Sequence, residues 1–358
     1  MRPTLLPGLR RLWRDERTVQ IGTDPAAAVV LELRRRDLSR VLDMLDGGHT
    51  FHTLLAEAEA HGLERSDVLD VLQALNSTGL VVGAHALLPT GLPGPVGARL
   101  AVEAAAIGLR LREGDGARTP ADVLRRRNAS HVVVAGDGPL VAPLATALAA
   151  AGVGHVDPVV DGTTTHADVA VGGLACDDVS ASRAIATSTA IVRFAPGVNV
   201  SSVRSDNVDF IVHVGDRHPP ALAHRGFRLH TLPRLEVTVR LGTVLVGPLV
   251  RPAASPCRLC LDLHRLDRDP AWPVLAAQLA TARPGDGEPC AHTTAMAGAA
   301  FAADEVLSYI DGTPLRTEAA IVEIPRAGEF RRREWAAHPR CDCRRRRRAR
   351  SDKSDPRS

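Results

Sequence analysis

The cysteines of this sequence include two close pairs that could share one metal ion. Cys257 and Cys260 are separated by two residues, and Cys341 and Cys343, about eighty residues further on, are separated by one. Zinc prefers thiolate ligands in a closed tetrahedron, and this spacing lets both sulfurs of a pair reach the same ion. We therefore predict a structural zinc site that pins a C-terminal strand, at about residues 319 to 324, onto the body of the protein. Disulfides or unrelated buried thiols are the alternative; disulfides are disfavoured because no secretory signal is recognisable and they are rare in the cytosol.

Cys290 and Cys176 stand apart from these pairs. Cys290 lies just before a helix predicted at residues 293 to 309 and close to His292, a setting that could lower the pKa of a reactive thiol. We interpret it as an ordinary loop cysteine, and we find no chemical role for Cys176. The sequence therefore predicts no catalytic residue, although the role of Cys290 stays open.

A glycine-rich turn is the second candidate site. Residues 131 to 138 predict a buried parallel strand that runs into Gly136 and Gly138, and an alanine-rich helix follows. This order is typical of a dinucleotide-binding fold, in which Asp161, at the end of the next strand, would face a ribose. Val141 occupies the position of the third glycine of that pattern. We therefore predict a vestigial nucleotide site rather than a bound cofactor.

The rest of the C-terminal half continues the same alternation of elements. Further strands are predicted at residues 156–160, 168–171, 190–194, 209–214 and 228–232, followed by an antiparallel pair at 235–239 and 243–249. Strands that alternate with helices indicate an α/β fold with a doubly wound, Rossmann-like sheet, which we assign to residues 98 to 343. The arginine-rich residues 344 to 358 have no apolar periodicity and are predicted to be disordered.

The N-terminal part predicts a smaller α+β domain, residues 1 to 88. Three short strands are expected at residues 9–13, 18–22 and 28–33, and three helices at 37–45, 50–61 and 66–78. This is the element order of a winged helix. Winged helices often bind DNA, but the acidic third helix would repel phosphates, so we favour a groove between the third strand and the third helix that takes an added peptide strand. Residues 89 to 97, rich in proline and glycine, predict a linker.

Composition narrows the classes of partner. The formal charge is +3, and Arg344 to Arg348 alone supply five positive charges, so the folded body is close to neutral and we expect no nucleic-acid partner. No segment approaches twenty uninterrupted apolar residues, so we expect no membrane association and a cytoplasmic protein. The apolar helix at residues 296 to 307 could pack in the core or between subunits, which leaves a homodimer open.

The order of motifs in the C-terminal domain resembles a known superfamily. After the glycine turn come HVGD at residues 213 to 216, SPCRLC at 255 to 260, TTAMAG at 293 to 298 and CDC at 341 to 343. This order is similar to that of ThiF and the ubiquitin-activating enzymes, which adenylate a carboxylate and often carry a four-cysteine zinc. Residues 246 to 280, VGPLVRPAASPCRLCLDLHRLDRDPAWPVLAAQLA, resemble more specifically the ThiF-like proteins of thiazole/oxazole-modified microcin (TOMM) gene clusters.

That resemblance covers essentially the whole chain and implies a function. In those proteins a winged-helix element binds the leader of a ribosomally made precursor peptide, and a degenerate ThiF-like domain follows it. Their partner is a YcaO enzyme, a cyclodehydratase that uses ATP to form azoline rings from cysteine, serine or threonine residues. By resemblance, this chain would be a non-catalytic scaffold of bacteriocin biosynthesis. It would capture the leader along the third strand and third helix, where we select Val30, Glu32, Asp67 and Asp70.

The alternative is an ATP-dependent adenylyltransferase similar to ThiF and MoeB. Such enzymes place a basic cluster, typically including a lysine, against the ATP phosphates. The only lysine here is Lys353, in the polar tail, so arginines such as Arg183, Arg193 and Arg204 would have to replace it. Together with Val141 in the third glycine position, this predicts no adenylation activity and no bound ATP. The precursor sequence, the cyclised residues and the product class stay open.

Overall fold

The computed structural model describes residues 1–111, 118–216, 222, 225, 227, 231–252, 254–281 and 288–343. The chain divides into two compact units, Met1–Arg126 and Arg127–Ser358. None of the helices within the described ranges is long and apolar enough to cross a membrane. The tail predicted to be disordered, residues 344 to 358, lies outside the described residues.

The first unit combines short strands with short helices. Its strands are β1 (Pro3–Leu5), β2 (Arg11–Trp13), β3 (Thr18–Ile21), β4 (Val29–Glu32) and β5 (Val81–Gly83). Its helices are α1 (Arg40–Asp43), α2 (Phe51–Ala60), α3 (Arg65–Ser77), α4 (Ala84–Leu87) and α5 (Gly94–Leu111), and α6 (Pro120–Ala129) begins in it. Among the described residues, β2, β3 and β4 form an antiparallel sheet in chain order, and β1 pairs with β5. The three predicted strands and three predicted helices are therefore all present, with shifted ends.

One apolar core holds the first unit together. It includes Leu54 of α2, Leu75 of α3 and Leu100 of α5. Helix α5 begins at Gly94, inside residues 89 to 97, where composition predicts a linker. Proline is tolerated in the first turn of a helix because its missing N–H would have no partner there, so a proline-rich stretch can begin a helix. The compact units divide further along the chain than the predicted linker.

The second unit is built on a mixed sheet. Its described strands are β6 (His131–Gly136), β7 (His155–Val159), β8 (Phe210–Val214), β9 (Arg234–Arg240), β10 (Thr243–Val250), β11 (Ala320–Arg326) and β12 (Glu329–Glu334). In the described part of the chain these seven strands lie in the order β12-β11-β10-β9-β8-β6-β7. Strand β6 runs parallel to β7 and β8, and β8 to β9, whereas the pairs from β9 to β12 are antiparallel. The predicted α/β class is confirmed at this level.

The described helices of the second unit include α7 (Val141–Ala150), α8 (Arg183–Phe194), α9 (Arg258–Arg268), α10 (Trp272–Ala280) and α11 (His292–Asp311). Of these, α7, α8 and α11 contribute residues to the apolar core of the sheet. Val134 of β6, Phe210 of β8 and Leu144 of α7 are fully buried in one cluster with Val306 of α11. The continuous apolar run of β6 is what a parallel strand covered on both faces requires. The carboxyl ends of β6, β7 and β8 meet at one edge of the sheet.

Two predicted strands are wrong. Residues 190 to 194 form the last part of α8, in which Ala186, Ala190 and Ile191 lie on one buried helical face. A short apolar run does not distinguish a strand from the end of a helix. Asp168 ends a single 3₁₀ turn rather than beginning a strand. Residues 228 to 230 of a third predicted strand lie outside the described residues.

Candidate functional site

A groove of about 300 Å³ lies between β4 and α3. It is lined by Val30, Leu31, Glu32, Leu33, Arg34, Leu38, Asp67, Asp70, Val71 and Ala74. All four residues selected from the sequence for peptide binding, Val30 and Glu32 on the strand and Asp67 and Asp70 on the helix, are in this set. The structure therefore brings these four side chains to one surface feature of the first unit.

One edge of β4 is open towards this groove. On its other edge β4 pairs with β3, and among the described residues no strand pairs with the open edge. The Leu33 N–H donates a hydrogen bond to the Arg17 carbonyl at 2.8 Å, so the backbone N–H and C=O of Leu31, two residues earlier, also point towards β3. Because backbone groups alternate along a strand, the N–H and C=O of Val30 and Glu32 point to the open edge. An extended peptide could add there as a further strand.

The helix side of the groove is a face of α3. Asp67, Asp70, Val71 and Ala74 lie three or four residues apart and therefore share that face. Arg34, just beyond β4, reaches across: its Nη1 lies 3.0 Å from the Asp67 Oδ1, and its Nη2 lies 3.6 Å from the Asp70 Oδ2. These ion pairs tie the strand to the helix. The side chains of Arg34 and Asp70 stay mostly exposed, so both charges remain accessible.

Sequence reasoning missed several residues that line the groove. Leu38 and Arg34 follow β4, and Val71 and Ala74 belong to α3. A signal for the last two existed, since they lie at helical spacing from Asp67. Arg34 and Leu38 lie outside regular strand pairing, and no periodic pattern points to them.

Four cysteine sulfurs meet in the second unit. The Sγ atoms of Cys257 and Cys341 are 3.5 Å apart, those of Cys260 and Cys343 are 3.3 Å apart, and all four lie within 4.8 Å of one another. None of them is disulfide-bonded. Zinc–sulfur bonds of about 2.3 Å in a tetrahedron place sulfurs about 3.8 Å apart, so the cluster has the size that one zinc ion requires. The residues selected from the sequence as metal ligands are thus brought together and fit zinc.

The cysteine cluster is held by α9 and by the segment after β12. Cys257 is the residue before the first turn of α9, and Cys260 lies buried within that turn. On the other side, the Cys341 N–H donates to the His338 carbonyl at 3.0 Å. His338 Nε2 in turn lies 2.8 Å from the Asp267 Oδ2 on α9. Burial raises the pKa of Cys341 to about 11, and a bound cation would reverse this by stabilising the thiolate.

A buried carboxylate anchors the start of α9 to the sheet. Glu236 of β9 lies 2.9 Å from the Nδ1 of His213 on β8, and Arg258 of α9 lies 3.2 Å from the same carboxylate. Arg234 Nε donates to its other oxygen at 3.1 Å. Burial raises the pKa of Glu236, but the His213 hydrogen bond and the nearby arginine charges outweigh it and hold that pKa well below its usual range. The first turn that carries the cysteines is thereby fixed to two strands.

The glycine turn lies at the carboxyl end of β6. Gly136 has a φ of +132°, and a Cβ there would lie 1.8 Å from the Val214 carbonyl oxygen, so a side chain cannot be accommodated. Gly138 also adopts a left-handed φ, +89°, and Asp161 follows the neighbouring β7. Ligands of such sheets bind at this edge. The third glycine position, Val141, is the buried first residue of α7.

The arginines that could replace a phosphate-binding lysine are engaged with carboxylates. Arg183 lies 2.9 Å from Asp168, Arg193 lies 3.7 Å from Asp178, and Arg204 lies 3.4 Å from Asp206. The Arg183 pair is buried, and its Nη1 also donates to the Asp161 carbonyl at 2.9 Å. Each of these three arginines is thus paired with a different carboxylate.

Cys290 has the environment of an ordinary half-buried thiol. Its Sγ lies 3.7 Å from the Gly242 carbonyl oxygen. Burial raises its pKa, whereas a reactive cysteine needs a lowered one. This agrees with our interpretation of Cys290 as a loop cysteine.

No family model matches the sequence, and no curated protein does either. Solved structures share its fold. E. coli MccB with ATP is 14% identical over 96% of this chain and 99% of that chain, with a TM-score of 0.59. E. coli MccB with AMPCPP and selenomethionine MccA is also 14% identical, over 95% and 99% of the two chains, with a TM-score of 0.56. A heterocyclase in complex with substrate and cofactor is 17% identical over 93% of this chain but 38% of that chain, with a TM-score of 0.53.

Proposed function

We propose that this chain binds the leader of a ribosomally made precursor peptide and presents it to a YcaO cyclodehydratase that forms azoline rings. The observation that carries the proposal is the groove between β4 and α3, in which an open strand edge faces a charged helix face. The fold shared with MccB, solved with MccA, and with a heterocyclase, solved with substrate, supports it. In this role the chain is a scaffold for a ribosomally synthesised and post-translationally modified peptide (RiPP) of the TOMM type, and it has no catalytic residues of its own.

The groove offers three kinds of contact to an extended peptide. The N–H and C=O of Val30 and Glu32 would form the ladder of an added strand. Leu38 and Val71 supply an apolar lining. The carboxylate of Asp70 supplies a charge that stays in contact with solvent. Main-chain hydrogen bonds would provide affinity, and the side chains would provide selectivity.

We further propose that the four-cysteine cluster of the second unit holds one structural zinc ion. Four protein ligands close the coordination sphere, so such an ion supplies no open position for chemistry. Its role would be to fasten the segment after β12 to α9. In this proposal residues 1 to 88 are a winged-helix recognition domain, and residues 98 to 343 are a degenerate ThiF-like domain.

Leader binding is tested by fluorescence anisotropy. Labelled leader peptides from small open reading frames beside the gene are titrated with the full-length, zinc-loaded chain. We expect submicromolar affinity for one of them. A second assay adds the neighbouring YcaO enzyme and ATP and follows the loss of one water per ring by mass spectrometry. If no neighbouring peptide binds, and if rings form equally well without this chain, the proposal is wrong.

Adenylation of a carboxylate is the second candidate function. It is favoured by the match to nearly the full length of MccB, solved with ATP, and by the glycine turn at the end of β6. It is opposed by Val141 in the third glycine position and by the arginines that are paired with carboxylates. ATP–pyrophosphate exchange by the purified chain, with the leader or its carboxyl-terminal peptide present, would establish this function. We expect no exchange above background.

A further inference from the structure

Charge is divided along the groove of the first unit. The part beside α3 carries three carboxylates, of Glu32, Asp67 and Asp70, against the single guanidinium of Arg34. Beyond the end of β4 an open pocket of about 500 Å³ continues from Arg34. That pocket is lined by Glu16, Arg17, Arg34, Arg35, Arg36 and Asp37, four guanidiniums against two carboxylates. An acidic section therefore adjoins a basic section, and Arg34 belongs to both.

The basic section keeps charge available for a ligand. Arg35 pairs with Asp37 at 2.5 Å, and Arg36, an exposed residue, stacks over the Trp13 ring at 4.7 Å. Arg17 forms no ion pair with any described residue. In the acidic section, Asp70 keeps 65% of its side-chain area exposed, while Asp67 is nearly buried against Arg34. Glu32, the third carboxylate of the acidic section, forms no ion pair with any described residue. Each section thus retains at least one charge without an ion-pair partner among the described residues.

The spacing of the two sections sets the spacing of their ligands. Glu32 and Arg35 are three residues apart, a separation of at most about 11 Å along the chain. Arg17 lies beside the same stretch, because its carbonyl accepts a hydrogen bond from the Leu33 N–H. A peptide strand on the open edge of β4 advances about 3.3 Å per residue. Side chains that reach both sections would therefore stand two to four residues apart.

We infer that the peptide recognised by this groove is bipolar: a basic residue lies against the carboxylates of Glu32 and Asp70, and an acidic residue two to four positions away lies against Arg17 and its neighbours. This inference rests on the proposed function, since it specifies the class of leader that the groove takes. Opposite charges at that spacing satisfy both sections at once. A leader with one sign of charge over the same stretch would be repelled by one of them.

The test uses five labelled ten-residue peptides that differ at two positions, three residues apart, in an otherwise identical apolar and neutral sequence. The two positions carry Lys and Asp, Asp and Lys, two Lys, two Asp, or two Gln. Binding to the full-length chain is followed by anisotropy at low and at high salt. We expect at least one of the two opposite-charge peptides to bind at least fivefold more tightly than the Gln peptide, and the advantage to shrink with salt.

Charge reversal assigns the contact. Arg17→Glu should weaken the better opposite-charge peptide about three- to tenfold and leave the Gln peptide unchanged, and Arg17→Gln should give a smaller loss of the same kind. The two-Lys peptide should bind Arg17→Glu more tightly than it binds the unmodified chain, because one of its charges is no longer repelled. Arg10→Glu makes the same charge change at an exposed position outside both sections and should have no effect.

Failure of this inference is distinguishable from failure of leader binding. If a natural leader binds but the Gln peptide matches the opposite-charge peptides, or none of the five peptides competes with that leader, charge recognition is refuted and the groove still binds a leader. If neither a natural leader nor any designed peptide binds, both proposals fall. Equal responses of Arg17→Glu and Arg10→Glu would also overturn the assignment.

Discussion

Replacing Val30 with proline should weaken strand addition without unfolding the first unit. Proline lacks an N–H, and the Val30 N–H points to the open edge of β4 rather than to β3. Proline is compatible with edge strands in this orientation. The residue before proline must be extended, and Val29 already lies in a strand. The substitution thus removes a donor that only a ligand would use.

The expected loss can be worked out from the geometry. One backbone hydrogen bond contributes about 0.5–1.5 kcal/mol net. The pyrrolidine ring also projects into the space of a strand that would lie about 4.8 Å away, which disturbs the neighbouring bond of the ladder. Together these effects amount to about 2 kcal/mol, or roughly a 30-fold weaker affinity.

The assay compares three variants by leader anisotropy and by thermal unfolding. Val30→Ala retains the N–H and is the matched control, with affinity close to the unmodified chain. Leu31→Pro removes an N–H that faces β3 and should destabilise the first unit by about 3 kcal/mol, which checks the assignment of the two edges. Strand addition is refuted if Val30→Pro binds the leader within twofold of Val30→Ala while remaining folded.

Three further predictions concern the second unit. Cys343→Ser should reduce bound zinc from about one ion per chain to a small fraction, as measured by inductively coupled plasma mass spectrometry. It should also lower the free energy of unfolding by several kcal/mol. An unchanged metal content would contradict the assignment. Gly136→Ala should lower the free energy of unfolding by about 3 kcal/mol, because the added Cβ would clash with a carbonyl oxygen of β8. Gly138→Ala has nothing within 4 Å of the added Cβ, so it should show only the smaller cost of backbone strain. Equal urea midpoints of unfolding for the two variants would refute this. Because burial raises the pKa of Cys290, its thiolate fraction at pH 8 is reduced, so iodoacetamide should label it more slowly than the exposed Cys176, and its labelling should accelerate only at higher pH.

Local signals in the sequence predicted much of this fold. The apolar run of β6 and the glycines that follow α2 and α3 determine the structure of only the few residues around them. Gly62 and Gly79 adopt the left-handed φ that such helix ends require. The cysteine pairs were also readable, because their spacing alone indicates a shared ligand. At residues 190 to 194 the short apolar run has no periodicity that distinguishes a strand from a helix, and the predicted strand was wrong.

Long-range pairing could not be predicted. Strands β1 and β5 have three residues each and lie nearly eighty residues apart, so neither carries a pattern of its own. The same holds for the groove. The strand and the helix that border it could be expected, but the reach of Arg34 to Asp67 depends on how they pack, and the basic pocket depends on a turn between β2 and β3. In the groove, the residues on β4 and α3 were therefore within reach of sequence patterns, whereas Arg34 and Arg17, which lie between elements, were not.

The arrangement of the cysteines has a consequence for biosynthesis. Cys257 and Cys260 precede Cys341 by more than eighty residues, and β11 and β12 lie in between. During translation the ribosome releases the first pair while these two strands are still unmade, and chains fold from the N-terminus onward. Zinc loading, as proposed, is then the last step in maturation of the second unit. A cell short of zinc would accumulate chains in which the N-terminal unit is folded but the segment after β12 is not attached to α9. Proteases would then cleave first at β11, β12 and the segment that follows them.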